Sequence, residues 1–439
     1  MATLPYESTA RAVLTDLAAG RCAALVGLSN TGKSTLMQAL SGQTAERMFT
    51  KLCGRKAVLI YVDCNRAVAI SAQGFYEVVL RSLLEALADQ VALDVTATLR
   101  SHHQQVTDAV TAFNASLSFN LALTELCEHL GRDLCLLIDE FDELYTALDD
   151  RALLNLRALR DRFKDRLGYV TATVRTLPEL RGAAVEDEFA EMFARSTYPM
   201  PALEEDEARL VVASLNISSM GAKRVATCLE LAGGHMGLLV AAAQVVAGLE
   251  AEQLGEALEA VGQEPMPRAE CLKIWNQLTA EEQEAVSSMA LDPGGSLPPQ
   301  QLEHLENLGL MRGGSLFSPL FAAFVVRRLR AGGEAVAAGV RLDPDSGDVW
   351  VDEVRIPVLT DLEYKLLQLL HDRRDKLTDK YQIVTAVWGE GYLDEIDDAR
   401  VEKLVSRLRS KIEQDPANPR YLITQRGRGY KLLSHPKAE

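Results

Sequence analysis

Residues 23–40 read AALVGLSNTGKSTLMQAL and combine an apolar run, a glycine-rich loop and a helix-forming segment. The loop, Gly27–Ser34, fits the phosphate-binding pattern G-x-x-x-x-G-K-[ST]; it follows a strand-like run, Ala23–Val26, and precedes a helical run, Thr35–Leu40. Glycines let the backbone wrap a phosphate, successive N–H groups point inward, and the helix N-terminus adds partial positive charge. Because strand, loop and helix follow one another in the order that this chemistry needs, a chance glycine-serine turn is the weaker interpretation.

The loop predicts individual contacts to ATP or ADP and to Mg²⁺. Lys33 would bridge the β- and γ-phosphates, and the Ser34 hydroxyl would bind the metal ion. The predicted nucleotide-binding residues of this loop are Gly27, Asn30, Thr31, Gly32, Lys33, Ser34 and Thr35.

A second apolar run, Leu134–Ile138, ends in Asp139 and Glu140. Parallel α/β sheets bind ligands at the carboxyl edge of their strands, where these carboxylates would lie. Asp139 would hold Mg²⁺ through water, and Glu140 would polarise the water that attacks the γ-phosphate. This pair predicts a slow ATPase; a strand that ends in solvated acids is the plainer alternative.

Arginines near the predicted site are further candidates. The strand-like run Tyr169–Val174 is followed by Arg175, which would sense the γ-phosphate or be an ordinary surface arginine. We count Arg175 with Lys33, Asp139 and Glu140 as a candidate catalytic residue. Four more arginines are weaker candidates for an arginine finger, because a helix rich in Arg and Asp is usually a solvated face. They are Arg160, Arg162, Arg166 and Arg195.

The order of apolar runs predicts a multidomain chain. Over residues 1–200 strand-like runs alternate with helical stretches, which predicts a parallel sheet covered by helices, an α/β P-loop NTPase core. Residues 201–264 are helical and predict a lid, and residues 265–332 combine helices with a short hairpin near Leu316–Phe317. Gly332–Gly333 is a predicted hinge before a last α+β domain over residues 335–439.

Residues 1–330 resemble the STAND and Orc/Cdc6-like branch of AAA+ ATPases. The motifs are GLSNTGKS, LLIDEFDEL, the TVR ending at Arg175, the GGH ending at His235, and the winged-helix sequence WNQLTAEEQEAV…LENLGLMRGGSLFSPLF. The resemblance implies a lid that packs on the nucleotide, a winged-helix domain, and a slow switch between ADP-bound closed and ATP-bound open forms. His235 would contact the nucleotide or be a capping or core histidine. Met236 stands where the family usually has proline, so the adenine contact is not transferred.

The C-terminal segment Asp398–Ile412 predicts an amphipathic helix with one apolar and one basic face. Val401, Leu404, Val405, Leu408 and Ile412 follow a 3.6-residue period. Arg400, Lys403, Arg407 and Lys411 lie opposite. From residue 400 onward ten Lys/Arg oppose four Asp/Glu, although the whole chain has a formal net charge of -16. This local basic patch suits a major groove, and the Arg/Gly sequence near Arg426 and Arg428 suits a minor groove or backbone. A solvated helix beside a basic hairpin is the plainer alternative.

Residues 336–434 resemble the OmpR/PhoB-type winged helix-turn-helix domain. The matching sequence is GVRLDPDSGDVWVDEVRIPVLTDLEYKLLQLL, VWG, VEKLVSRLRSKIEQDP and YLITQRGRGYKLL. The resemblance implies a recognition helix at residues 398–414, a wing at Ile423–Leu432 and, at Tyr392–Asp398, either an RNA polymerase contact or an acidic surface loop. The implied DNA-binding residues are Arg400, Lys403, Ser406, Arg407, Arg409, Arg426 and Arg428. Leu404 stands where a polar residue is common, so base preference is not transferred.

Composition restricts the class of protein. Seven scattered cysteines without a CxxC pair indicate reduced thiols in a cytoplasmic protein, and neither a signal peptide nor a membrane-spanning run is evident.

The leading hypothesis is a bacterial ATP-dependent transcriptional regulator that binds double-stranded DNA and self-associates with ATP. The alternatives are a STAND-type assembly or defence module that uses DNA for location, and a degenerate nucleotide-binding scaffold for partner proteins.

Overall fold

The computed structural model describes residues 4–88, 90, 93–182, 187–215, 217, 220–250, 253–333, 339–342, 349–351, 354–356, 359–388, 398–413, 415–416, 418–425, 428–434 and 436. By its contacts the chain divides into two compact units, Met1–Arg327 and Arg328–Glu439. Across the described ranges, no helix is both long and apolar enough to cross a bilayer. The finer predicted boundaries after residues 200, 264 and 332 stay predictions.

The first unit contains five parallel strands in the order β2-β3-β4-β1-β5. They are β1 (Ala23–Val26), β2 (Ala57–Asp63), β3 (Asp133–Asp139), β4 (Leu167–Thr173) and β5 (Thr197–Pro199). The nearly unbroken apolar runs β1 and β3 are wholly buried, as expected of strands covered on both faces. The predicted strand Tyr169–Val174 begins two residues earlier, at Leu167.

Among the described residues up to Glu191, ten helices accompany these strands. They are α1 (Glu7–Ala18), α2 (Lys33–Leu40), α3 (Gln43–Cys53), α4 (Ala72–Leu87), α5 (Leu93–Thr107), α6 (Ala112–His129), α7 (Asp142–Ala147), α8 (Asp150–Arg162), α9 (Leu177–Arg181) and α10 (Glu188–Glu191), with a 3-10 turn at Cys64–Arg66. Three of them, α4 to α6, lie between β2 and β3 in sequence. Tyr76 of α4 stacks on Phe119 of α6 at 4.3 Å between ring centroids, which helps to bind this helical layer to the apolar core.

Helices and one hairpin complete the first unit. The helices are α11 (Glu205–Ser214), α12 (Ala222–Ala232), α13 (Met236–Val246), α14 (Ala257–Gln263), α15 (Pro265–Asn276), α16 (Ala280–Leu291), α17 (Pro299–Asn307) and α18 (Pro319–Gly333), with a 3-10 turn at Gln253–Glu256. The last residues of α18, after Arg327, belong to the second unit. The hairpin is formed by β6 (Met311–Arg312) and β7 (Ser315–Leu316). Gly233 ends α12 with a φ of 60°, and a Cβ there would lie 1.8 Å from the Phe317 carbonyl oxygen. This turn therefore requires glycine both for its backbone angle and for the close approach.

The second unit is an α+β domain with its own apolar core. An antiparallel sheet is formed by β8 (Val340–Leu342), β9 (Val349–Val351) and β10 (Val354–Arg355). The helices α19 (Asp361–Asp372), α20 (Lys380–Val387) and α21 (Asp398–Ile412) follow, and the hairpin of β11 (Leu422–Gln425) and β12 (Gly429–Leu432) ends the domain. A parallel α/β P-loop core followed by a winged helix-turn-helix is the multidomain fold that the sequence predicted.

Candidate functional site

The phosphate-binding loop joins β1 to α2. The Lys33 side chain is almost fully buried, and its Nζ donates to the carbonyl oxygens of Gly27 at 2.5 Å and Leu28 at 3.0 Å. Burial lowers the pKa of Lys33, against the opposing effect of Glu140 and Asp142. Binding of a phosphate would require the ammonium group to exchange these two carbonyl oxygens for phosphate oxygens.

The carboxylates lie at the end of β3, as the sequence predicted. The β2–β3 register pairs Asp63 with Asp139. Asp139 is wholly buried and accepts a hydrogen bond from the Tyr61 hydroxyl at 2.8 Å and from the backbone N–H of Glu140 at 3.0 Å. Glu140 has a φ of 52°, a left-handed backbone that costs energy in a non-glycine residue and is frequent at functional sites. Burial raises the pKa of Glu140, and nearby Lys33 partly offsets that increase.

A cavity of about 290 Å³ lies over the loop. Its floor is formed by Asn30, Gly32, Lys33, Ser34, Thr35 and Glu140. Its other wall includes Met236, Val240 and Met266, from α13 and α15. A floor from the phosphate-binding loop, with an ammonium and a carboxylate, opposite a largely apolar wall that also contains Glu270 is suited to a phosphorylated ligand with an apolar end. The residues present therefore fit a nucleotide with its metal ion.

His235 holds the start of α13 against the loop. Its Nδ1 accepts a hydrogen bond from the Leu238 backbone N–H at 3.2 Å, so it caps the helix, and its Nε2 lies 3.0 Å from the Ser29 carbonyl oxygen. These partners require the neutral ring with the proton on Nε2. Burial lowers the pKa of His235 to about 4. The geometry therefore matches the capping interpretation, and His235 is not among the residues that line the cavity.

Two further side chains bind the loop: Glu270, in the middle of α15, and Gln277, the residue after this helix. The Ser29 backbone N–H donates to Gln277 Oε1 at 2.9 Å, and Gln277 Nε2 donates to the Ser29 hydroxyl. Asn30 Nδ2 donates to Glu270 Oε2 at 2.7 Å. No local sequence signal marks Glu270 or Gln277, because they lie about 240 residues from the loop.

Arg175 is directed at a carboxylate of the first unit. Its guanidinium donates to both oxygens of Glu282, at 2.5 and 2.6 Å, and to the Gln277 carbonyl oxygen at 2.9 Å. Burial raises the pKa of Glu282, but hydrogen bonds from Arg175 and His304 outweigh this effect and lower the pKa to about 2. Glu282 is 5% exposed, so this is a buried, bidentate pair. Arg175, like His235, does not line the cavity.

The arginine-finger candidates are partly committed to other partners. The Arg160 guanidinium donates to the Gly20 carbonyl oxygen, and Arg162 pairs with Glu128 at 2.8 Å. Arg195 is exposed and Arg166 half-buried. The role of all four in a neighbouring subunit stays a prediction.

In the second unit, α21 has the predicted two faces. The apolar face of α21 is buried in the core of the second unit, through Val401, Leu404, Val405, Leu408 and Ile412. Buried Leu404 is thus a packing residue. The side chains of Arg400, Lys403, Ser406 and Arg407 are exposed, and so is Arg428 of the wing. Three parts of these predictions lie outside the described residues: Arg426, residue 414, and residues 392–397 of the predicted polymerase-contact segment.

Two cations of α21 have internal partners. Arg409 donates to the Leu422 carbonyl oxygen through Nε at 2.9 Å and through its terminal nitrogen at 2.6 Å, and to the Thr424 hydroxyl at 2.7 Å. Lys411 pairs with Glu363 of α19 at 2.8 Å. Arg409 therefore holds the wing to α21, a role that the spacing of basic residues did not reveal.

Comparison with known proteins identifies two parts of the chain. Residues 17–180 match the family described as AAA domain, and residues 356–432 match the family described as transcriptional regulatory protein, C terminal. The chain thus combines an AAA domain with a C-terminal domain of the OmpR/PhoB type.

Curated relatives match the C-terminal part. The chain is 38% identical over 97 residues to the uncharacterized transcriptional regulatory protein YrkP of Bacillus subtilis, covering 22% of this chain and 41% of that protein. It is 40% identical over 95 residues to the sensory transduction protein RegX3 of Mycobacterium tuberculosis, covering 21% and 40%. The chain thus spans about two fifths of the length of these relatives.

Among solved structures, the Aeropyrum pernix ORC2 protein, in ADPNP and ADP complexes, is 14% identical, with a TM-score of 0.42 over 75% of this chain and 94% of that chain.

Proposed function

We propose that this chain is an ATP-dependent transcriptional regulator of the STAND type, in which bound ADP or ATP sets the DNA affinity of the C-terminal domain. In this proposal the protein is cytoplasmic, its partner is double-stranded DNA, it self-associates with ATP, and the segment Tyr392–Asp398 contacts RNA polymerase. The combination of an AAA domain with an OmpR/PhoB-type domain supports the proposal.

The observation that carries the switch is a set of three side-chain contacts between the nucleotide site and α15–α16. Gln277 binds Ser29 and Glu270 binds Asn30. Glu282 binds Arg175, which lies two residues after the end of β4, the strand next to β1. We call these the three-point contact. A nucleotide that shifts the loop or attracts Arg175 would weaken it. Because a ligand shifts an equilibrium only through unequal affinity for two states, such competition is the property that a switch needs.

The remaining chemistry is assigned to the residues around the cavity. Lys33 and the loop N–H groups would bind the phosphates, while Ser34 and Asp139 would hold Mg²⁺, which supplies positive charge at the phosphate oxygens. Tyr61 orients the Asp139 carboxylate. Glu140 would accept a proton from the attacking water, and its raised pKa makes it a stronger base than an ordinary glutamate. Slow hydrolysis would then reset the switch.

The direct test measures the affinity of the full chain for a selected DNA site with ADP and with a non-hydrolysable ATP analogue. We expect the affinities to differ by about 5- to 150-fold, the usual range of coupling between two sites. Equal affinities would contradict a switch.

Light scattering with the ATP analogue separates the regulator, expected as a dimer, from an assembly machine, which would form rings or filaments.

Glu282→Gln is expected to weaken the three-point contact, because it removes the charge that pairs with Arg175. DNA affinity without nucleotide should then move toward the value of the ATP-analogue complex and lose most of its nucleotide dependence, as measured by fluorescence anisotropy. Glu281→Gln is the matched control, because Glu281 is the exposed neighbour on the same helix turn. If Glu282→Gln retains the full difference between ADP and the analogue while it remains folded, the three-point contact does not carry the switch.

A further inference from the structure

One face of α6 is apolar and exposed. Val110 is 94% exposed, Phe113 73%, Leu117 47% and Leu121 43%. Phe113, Leu117 and Leu121 repeat every four residues, so they form one row along the helix, and Val110 precedes it. We call these four residues the α6 stripe.

The opposite face of the same helix is also apolar. Ala115, Phe119, Ala122, Leu123 and Leu126 are buried against the rest of the helical layer. A helix that is apolar on both sides is normally covered on both sides. Three large apolar side chains in one row, with a fourth just before it, also differ from single exposed hydrophobic residues, which are ordinary on protein surfaces.

Charge indicates which partner suits the stripe. Residues 109–124 contain no charged side chain, in a chain in which 25% of residues are charged and the formal net charge is -16. A second copy carries the same net negative charge, and an uncharged patch lets two copies approach at that place without local repulsion. A strongly basic partner would gain nothing from this patch.

The spacing also suits self-pairing. The row is symmetric about Leu117, so an antiparallel copy would place Leu117 against its counterpart and Phe113 against Leu121 of the other copy. Such a two-fold contact is isologous, and i±4 ridges are the ones that most often interdigitate between helices. We infer that the α6 stripe is a self-association surface that joins two copies of this chain across a two-fold axis centred on Leu117.

The size of the stripe predicts a weak contact. A standard stable interface buries roughly 800 Å² per partner, and four side chains on one helix bury much less. An interface of this small size corresponds to transient pairing. The inference deepens the proposed function and rests on it for its biological purpose. Two weakly paired chains would present two DNA-binding domains to adjacent half-sites on the DNA. The pairing itself is measured without DNA or nucleotide, so its failure can be distinguished from failure of the switch.

Sedimentation velocity of the full chain over a concentration series tests the inference. We expect a reversible monomer–dimer equilibrium and, for Leu117→Asp, a dissociation constant raised by about 100-fold or more, as for a hot-spot residue. Val68→Asp is the matched control, because Val68 is 86% exposed but lies outside the stripe; it should dimerise like the unsubstituted chain.

A mixing experiment tests the two-fold axis. Leu117→Asp and Leu117→Lys should each be monomeric alone, and their equimolar mixture should regain dimers because opposite charges then face each other. Three results would overturn the inference: a chain that stays monomeric at all concentrations, dimers that survive Leu117→Asp, or a mixture that does not pair. A stripe covered by another part of the same chain would give the first result.

Discussion

Lys33→Ala is expected to weaken ATP binding by about 2–5 kcal/mol, roughly 30- to several-thousand-fold, because a buried ammonium that pairs with phosphate oxygens is lost. The variant should also lose any nucleotide dependence of DNA binding, while its DNA affinity without nucleotide should remain. Isothermal titration calorimetry and anisotropy measure the two effects separately.

Lys51→Ala is the control for Lys33→Ala, since Lys51 is an exposed lysine on α3 with the same charge. The Lys33 amine also holds the Gly27 and Leu28 carbonyl oxygens, so thermal melting must show that the variant is folded. A folded Lys33→Ala protein with unchanged ATP affinity would refute the assignment of the loop.

Arg407→Ala is expected to weaken specific DNA binding by about 1–3 kcal/mol, roughly 5- to 150-fold, because an exposed arginine on α21 can contact a guanine edge or a phosphate. For a base contact, the loss should be largest on the preferred sequence. For a phosphate contact, the loss should be similar on all sequences, and the salt dependence should fall by about one charge. Anisotropy at several salt concentrations distinguishes these two roles.

Two further variants complete the comparison. Lys376→Ala removes an exposed cation of the same unit outside α21 and should leave DNA affinity nearly unchanged. Arg409→Ala should instead lower the melting temperature of the second unit, because Arg409 joins α21 to the wing strand through Leu422 and Thr424. If Arg407→Ala bound DNA with the same affinity as the unsubstituted chain, the exposed face of α21 would not be the DNA-binding surface.

Local patterns in the sequence were sufficient for β1, the phosphate-binding loop and the amphipathic helix α21. The run Ala23–Val26 and the helix Asp398–Ile412 have the predicted bounds, because burial on both faces and the 3.6-residue period leave clear marks in neighbouring residues. Asp139 and Glu140 were predictable for the same reason, since a buried strand that ends in acids places them at the edge of the sheet.

The partners of these residues depended on packing between distant segments. Glu282 lies 107 residues from Arg175, and only the arrangement of α16 beside the core brings its carboxylate to that guanidinium. The resemblance to the OmpR/PhoB-type domain placed Arg409 among the DNA-binding residues, but its guanidinium donates to the Leu422 carbonyl oxygen of the wing strand.

The chain by itself therefore determined which elements form and which chemical groups end each strand, because those properties come from side-chain periodicity and backbone preference over a few residues. The tertiary structure alone decided which of these groups face the cavity and which are bound by a distant carboxylate or carbonyl. The physical reason is that hydrogen bonds and ion pairs require contact at about 3 Å, which only the packing of whole elements produces.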